Sequence, residues 1–543
     1  MLSIHRTQLA SAALALLLLT PAVGRTAPPP AQQPPPRQQP PPQQQPPPQQ
    51  QPPPQQQPPA PPFSFATVQR LAQQRAGRDY QIRSTPLPRA LAHLTYQQYS
   101  DIHFRPAAAL WHGQSMFDVQ FFHRGFNFDR RVNIYEVLPS GVRQVTYRPS
   151  MFQFGRSVPR VALPVNLGFA GLSVHYPLNG PGDRDEVIAF LGASYFRTLG
   201  RGQGDGVSAR GLAIDTAAPA GEEYPYFTDF WLVRPAPNQQ TMTVYALLDS
   251  PSLTGAYEFD VRPGNISQVQ VTATLYPRQS VDKLGIAPLT SMFLYGENSA
   301  RRRFDDWRPE VHDSDGLMME TGPGEWLWRP LDNPRKLEVN RFMDDNPKGF
   351  GLIQRDRHFP DYQDPGSQFE RRPSYWIQPL GNWGKGGVEL VEIPSDEEIH
   401  DNIDAYWVPS AAVVPHAPIR FSYLLSAYLH SSDRWPPGGK VVATRFGPVM
   451  HGATAVPGMR LVLIDFAGGD LDSLSPTQPV HPDVWVDGGT VGRVTVQRLP
   501  EDGHWRVTME LKPGSDDRPV DLRCYLDLYG EALTETWTYQ LTP

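Results

Sequence analysis

The sequence predicts an all-β protein built as two sandwiches in tandem, a large one and a smaller immunoglobulin-like one. Three observations lead there. Apolar and polar residues alternate with period two through most of the chain, so strands with one buried face dominate. Glycine- and proline-rich turns separate these strands, as packed antiparallel sheets require. A stretch at 408–418 with three prolines and no charged residue interrupts the alternation roughly 125 residues before the C-terminus.

Taken in order, residues 1–24 read as an export signal. Arg6 supplies the positive start, Leu9 to Leu19 a short apolar core, and Ala22-Val23-Gly24 a small-residue cleavage site. The apolar run is shorter than the roughly 20 residues of a membrane span, and no later segment reads as one. No paired arginines precede it, which argues for ordinary rather than twin-arginine export. Residues 25–62 read as a disordered Pro/Gln tether. Nineteen of residues 28–62 are proline, which fixes φ and removes donors, so a polyproline-II spacer is expected there.

Residues 63–407 are expected to form the large sandwich. Short helices are predicted over Ala66 to Arg75, with Val68, Leu71 and Ala72 on one face, and over Pro88 to Leu94. Strands follow. Val269, Val271, Ala273 and Leu275 alternate with polar residues, as do Val244, Ala246 and Leu248. Residues 408–418 read as a linker. Residues 419–543 restart the alternation at Ile419, Phe421, Tyr423 and Leu425. Val507, Met509 and Leu511 repeat it, followed by Val520, Leu522, Cys524, Leu526 and Leu528. This part reads as an immunoglobulin-like sandwich without the disulfide.

Charge excludes some functions. The chain has 49 basic and 55 acidic residues, net −6, and no basic patch, which argues against a nucleic-acid partner. The single cysteine, Cys524, sits in an alternating strand and reads as a buried thiol. No Gly-x-Ser-x-Gly elbow occurs. The fourteen histidines form no His-Glu-x-x-His helix, so no metal site and no cofactor is expected. Asp313-Ser314-Asp315-Gly316 resembles part of a calcium loop but lacks a glutamate in register, leaving an Asx turn and an active-site carboxylate as the competing readings. Gly200 to Gly206 is glycine-rich, but no helical period follows, so a turn is expected rather than a phosphate cradle.

The chemistry-bearing region combines tryptophans with acids. Trp307, Trp326, Trp328, Trp376, Trp383 and Trp407 fall within about one hundred residues that also hold Asp313, Arg329, Arg371, Arg372, Asp401 and Asp404. Flat rings cover the apolar faces of pyranoses, and carboxylates bond hydroxyls and move protons. A sugar polymer is the ligand this pattern fits.

At this point the chain resembles a known family, the periplasmic glucan biosynthesis proteins G and D. The resemblance is carried by Leu191 to Arg197, Ser208 to Thr216, Tyr245 to Ser250, Pro288 to Phe293, His312-Asp313-Ser314, Asn346 to Leu352, Trp383 to Gly386 and Glu535-Thr536-Trp537. Asp465 to Leu471 looks more like D than G, while the export signal lacks the twin arginines usual in D. The resemblance implies a galactose-mutarotase-like sandwich followed by an immunoglobulin-like domain, a periplasmic location, and a role with osmoregulated glucans of β-1,2-linked backbone. It implies endo-acting, inverting hydrolysis in some members, with Asp401 and Asp313 as the two acids. Arg372, Trp326, Trp328, Tyr375, Trp383 and Phe369 are the substrate-binding candidates. The inner-membrane glucan synthase and a second copy of the chain are the further partners considered. Two positions depart from the family pattern: Phe369, where members usually carry tyrosine, and Asp205, where Tyr-Gly is usual. The alternative function is a non-catalytic glucan-binding factor for the synthase. Epimerisation rests on fold analogy alone.

Overall fold

A computed structural model describes residues 62–542 except 83–85, 300–303, 431–435 and 515–517. The expected signal peptide and almost all of the tether lie outside the described residues. What is described is a stack of β-sheets, as the alternation predicts.

A ten-stranded sheet includes the strands Asp118–His123, Phe169–Tyr176, Asp185–Leu191, Tyr195–Thr198, Ser208–Arg210, Leu284–Ser291, Ile403–Pro409 and Lys385–Glu392, and ends at the edge strand Glu338–Asp345. Facing it is a longer, fifteen-stranded sheet. Between them lies the large core, in which Phe190, Phe196, Phe227, Phe230, Tyr257 and Phe259 pack as tilted, edge-on and, for Tyr257 on Phe259, stacked aromatic pairs. Val269, Val271, Ala273 and Leu275 all point into this core from Ser267–Pro277, and Val244, Ala246 and Leu248 from Met242–Asp249.

The long sheet serves two cores at once. In Ser374–Leu380, Tyr375 and Ile377 enter the large core while Trp376 points to the opposite face. Gly316–Glu320 divides in the same way, Leu317 and Met319 against Met318, and Trp326–Pro330 sends Leu327 one way and Trp328 the other. The second core is closed by a four-stranded sheet of Lys440–His451, Thr454–Ala467, Trp505–Pro513 and Gly489–Arg498. Its residues include Val462, Ile464, Trp505, Val507, Met509, Leu522, Cys524 and Trp537. Cys524 is buried there, as expected.

The boundary expected at 408–418 needs correction. Ile419–Tyr428 does not open the C-terminal sandwich. It pairs with Ser267–Pro277 on one side and Ser374–Leu380 on the other, in the middle of the long sheet, and puts Phe421, Tyr423, Leu425 and Ala427 into the large core. The proline-rich stretch therefore carries the chain from one sheet to the facing one. Alternation reports that one strand face is buried but not against which core. The C-terminal strands rejoin the long sheet where Leu327 and Trp328 pair in parallel with Thr536 and Trp537.

The predicted first helix forms over Phe65–Ala76 and buries Val68 and Ala72 against Trp231, Leu247 and Ala256 of the long sheet. The second is only the turn Arg89–Ala92. It is followed by Tyr96–Ser100, whose start is closed by a reciprocal pair of bonds between Thr95 and Gln98.

Candidate functional site

The two aspartates hang from one short segment, Ser291 to Phe293. The backbone N–H of Asp313 donates to the Met292 carbonyl at 2.8 Å, just after Val311–His312 pairs beside Phe293–Tyr295. Asp401 precedes the strand Ile403–Pro409, where Ile403 is in register with Ser291. Its neighbour Asn402 is the clamp. The Asn402 side chain accepts from the Phe293 N–H at 2.8 Å and donates to the carbonyls of Phe293 and Ile393, both at 3.0 Å. A buried amide with every bond satisfied fixes the backbone on either side of it.

Arg372 connects the pair. Its guanidinium forms an ion pair with the Asp313 carboxylate, and its charge also acts on Asp401 and Asp205. Burial pushes its pKa down to about 10. Phe369 lies beneath it, with the guanidinium 3.9 Å from the ring centroid. The glycine-rich turn packs over the same side chain. A Cβ at Gly206 would stand 2.8 Å from Arg372 Cβ, and the Gly204 N–H bonds the Arg371 carbonyl at 2.9 Å. That close approach is the use of the glycines.

Asp313 is 5% exposed, and Asp401 is half-buried. Burial, reinforced by Asp404, raises the Asp401 pKa to about 7 against the opposing pull of Arg210, Arg372 and Arg197. Two further ion-pair groups frame it. Arg210 bonds Glu222 at 2.8 Å and Asp404 at 2.9 Å, and Asp404 also accepts from the Thr290 hydroxyl at 2.9 Å. Arg197 bonds Glu186 at 2.6 Å and Asp205 at 3.0 Å. Burial opposes the charge on Arg210, but Asp404 and Glu222 outweigh it and raise its pKa. Tyr195, whose hydroxyl burial pushes upward, also feels Asp401. Sequence patterning alone assigns no role to Arg197 or Arg210. The available signal is the charge itself: Arg197 and Arg210 stand in short strands whose neighbouring residues are buried, where a cation must find acids.

Several substrate-binding candidates are corrected. Tyr375 is fully buried, and its hydroxyl is held by the Thr198 backbone on both sides, accepting at 2.7 Å and donating at 2.6 Å. Phe369 is 1% exposed, stacked on Tyr362, so it supports Arg372 from behind and offers no face to a ligand. Trp328 lies in the second core under the Arg355 guanidinium, 3.5 Å from its ring. Trp326 stacks on Trp376 at 5.6 Å against the same core. Trp383 is half-buried, packs beside Trp407 and Tyr423, and donates to the Ser422 carbonyl at 3.2 Å. Among the six tryptophans grouped with the acids in the sequence, the exposed one is Trp307, 65% exposed. It stands between Asp306 and Arg308. Arg308 in turn bonds Glu398 at 2.6 Å and Asp364 at 3.3 Å, and its guanidinium lies 5.8 Å from the Phe369 ring on which Arg372 rests.

Next to Asp313 lies a second group of acids. Burial and then Glu310 push Glu297 up to about 8, and burial and then Asp315 raise Asp356 well above the usual carboxylate range. Donor atoms of Glu310, His312 and Asp356 lie within 4.8 Å of one another. No spacing in the sequence signals this group, because Asp356 comes from a different strand connection.

The family model described as periplasmic glucan biosynthesis protein, MdoG, matches residues 63–541. The chain belongs to this periplasmic glucan biosynthesis family. It is 46% identical over 490 residues to glucans biosynthesis protein G of Ralstonia nicotianae, covering 89% of this chain and 96% of the relative. It is 45% identical over 486 residues to a probable glucans biosynthesis protein D of Shewanella oneidensis, covering 89% of each. A D protein of Ralstonia nicotianae is also 46% identical, over 499 residues, covering 89% of this chain and 92% of the relative. Whole-chain identity to G and D members of the family is thus level. Among the described residues no helix is long and apolar enough to cross a membrane.

Proposed function

We propose that this protein is exported to the periplasm, binds β-1,2-glucan beside Asp313, Arg372 and Asp401, and hydrolyses it with inversion. The supporting observation is the asymmetry of the two acids. Asp401 has a pKa raised to about 7, whereas Asp313 is paired with a guanidinium. Asp401 then protonates the leaving glycosidic oxygen as the C–O bond breaks. Asp313 takes a proton from the water that attacks the opposite face of the sugar. The usual separation for such a pair is about 6.5–9.5 Å, which leaves space for the water. Trp307 supplies the exposed ring on which a glucose unit stacks.

The test is release of reducing ends from linear β-1,2-glucan by the purified protein. Asp401→Asn is expected to lower the rate by at least about a thousandfold while leaving the fold intact. Equal activity in wild type and variant overturns the assignment.

One observation favours the second reading, a glucan-binding factor that serves the membrane synthase without cutting. Arg372 covers Asp313, leaving it 5% exposed. On that reading both proteins bind β-1,2-glucan and neither releases reducing ends.

A further inference from the structure

The group beside Asp313 gathers one histidine among several carboxylates, and its hydrogen bonding calls for one more positive charge, a proton or a cation. The Gln354 amide is oriented by two donations from its nitrogen, to the His312 carbonyl at 3.1 Å and the Phe369 carbonyl at 3.4 Å. Its oxygen therefore faces His312 Nδ1 at 3.0 Å, and that nitrogen carries the ring proton. The neutral ring's lone pair is then on Nε2, which points at Glu310 Oε2 only 2.9 Å away. With a neutral ring two acceptors would face each other where His312 is 1% exposed, so either a proton on Nε2 or a cation between the two atoms has to join them. A second orphan lies alongside: Asp315 Oδ1 is a buried oxygen that receives no hydrogen bond, although Nδ1 is 3.2 Å off.

These atoms line a cavity of about 30 Å³ between Phe293, Glu297, Glu310, His312, Asp315, Trp328, Arg355, Asp356 and the strand segment 441–444. The volume is that of a single ion or water. The arginines nearest the cavity also have acids of their own elsewhere. Arg355 is held by both carboxylate oxygens of Glu535, and Arg445 bonds Asp465 at 3.2 Å. Glu297 is fixed toward the cavity by the Thr444 N–H at 2.7 Å. Around an ion with bonds of about 2.1 Å, adjacent donors lie about 3 Å apart and opposite ones about 4.2 Å. The donor atoms of Glu310, His312 and Asp356 lie within 4.8 Å of one another, slightly wider than that spacing.

We propose that Glu310, His312 and Asp356, with Asp315 and Glu297 alongside, bind one first-row divalent cation such as Mn²⁺ or Zn²⁺. One imidazole among carboxylates suits these ions better than Ca²⁺ or Mg²⁺. Gln354 is the outer partner that fixes the ring for coordination through Nε2. The ion would tie the turn carrying Asp313 to the strand Lys440–His451 of the second core. The site stands independently of the hydrolase reading.

The test uses the tag-free chain, stripped with EDTA and titrated with Mn²⁺ and, separately, Zn²⁺ at pH 7.5, reading Mn²⁺ binding by electron paramagnetic resonance and melting temperature by calorimetry. The expected result is one Mn²⁺ per chain and a melting temperature raised by about 2–5 °C at a hundredfold excess over Kd. Glu310→Gln places an N–H donor opposite Nε2. It is expected to abolish both effects while leaving the metal-free protein at least as stable as wild type, and Asp356→Asn is expected to do the same. Absence of saturable Mn²⁺ and Zn²⁺ binding by wild type, or binding unchanged in both variants, overturns the proposal and leaves His312 as an imidazolium paired with Glu310. Saturation by Ca²⁺ alone would overturn the choice of ion class.

Discussion

At the scale of single residues, Asp401 is the group whose surroundings make the clearest demand. Its folded pKa of about 7 lies above the ordinary value of 3.8. The folded state therefore binds that proton more tightly than the unfolded chain does, and stability attributable to this group falls as pH rises from 3.8 to 7. Asp401→Asn removes the penalty, so the variant is expected to melt above wild type at pH 8, with the gap shrinking toward pH 5. Differential scanning calorimetry at the two pH values checks the sign. On the hydrolase reading, activity also declines as pH passes upward through about 7, because the acid is lost. Trp307 makes a different prediction. Its ring is exposed and supports no core, so on the hydrolase reading Trp307→Ala is expected to raise KM for long β-1,2-glucan about three- to tenfold with little change in melting temperature or kcat. Unchanged KM would remove the ring from the substrate path. Sequence alone marked Asp313 and Asp401 through resemblance, but it placed Trp328 and Tyr375 on the ligand. Period two shows that Trp326 and Trp328 share a face. It does not show that this face meets a second core, because the covering strands lie more than a hundred residues downstream.

At the scale of elements, the segment Ser291 to Phe293 anchors the stretches that carry both acids. Asn402 makes three bonds to its surroundings, and all three are lost in Asn402→Ala. Unsatisfied backbone groups of Phe293 and Ile393 remain buried, so a destabilisation of about 2–4 kcal/mol is expected in urea unfolding. On the hydrolase reading, substrate turnover should fall by more than the loss of folded protein explains, because Asp401 is the adjacent residue. Asp313 is tied separately, through its own N–H to Met292. The strands themselves were legible: Ser267–Pro277 and Met242–Asp249 bury the alternating residues their patterns indicate. Ile419–Tyr428 shows the limit. Its alternation was read correctly, yet its partners, Ser267–Pro277 and Ser374–Leu380, are set by tertiary pairing that no local pattern encodes.

At the scale of the whole molecule, the long sheet makes the two sandwiches interdependent. Met318, Trp328, Ile353 and Trp376 belong by sequence to the larger part and Tyr428 to a strand in the middle of the long sheet, yet all five pack into the smaller core. Arg355 and Glu535 form an almost fully buried ion pair across the same region. A fragment ending at residue 430 would expose this apolar face and leave Arg355 without its acid, so it is expected to aggregate when expressed alone. The measurement is the soluble yield and gel-filtration profile of residues 63–430 beside residues 63–543. A monodisperse, folded short fragment would contradict the shared core.

That sharing also constrains how such proteins can be recombined. A hybrid joining the first four hundred or so residues of one relative to the tail of another inherits one wall of the C-terminal interior from each parent. Only exchanges in which positions 318, 328, 353, 376 and 428 travel with the tail keep both walls matched, so the workable crossover points follow packing rather than the order of the chain.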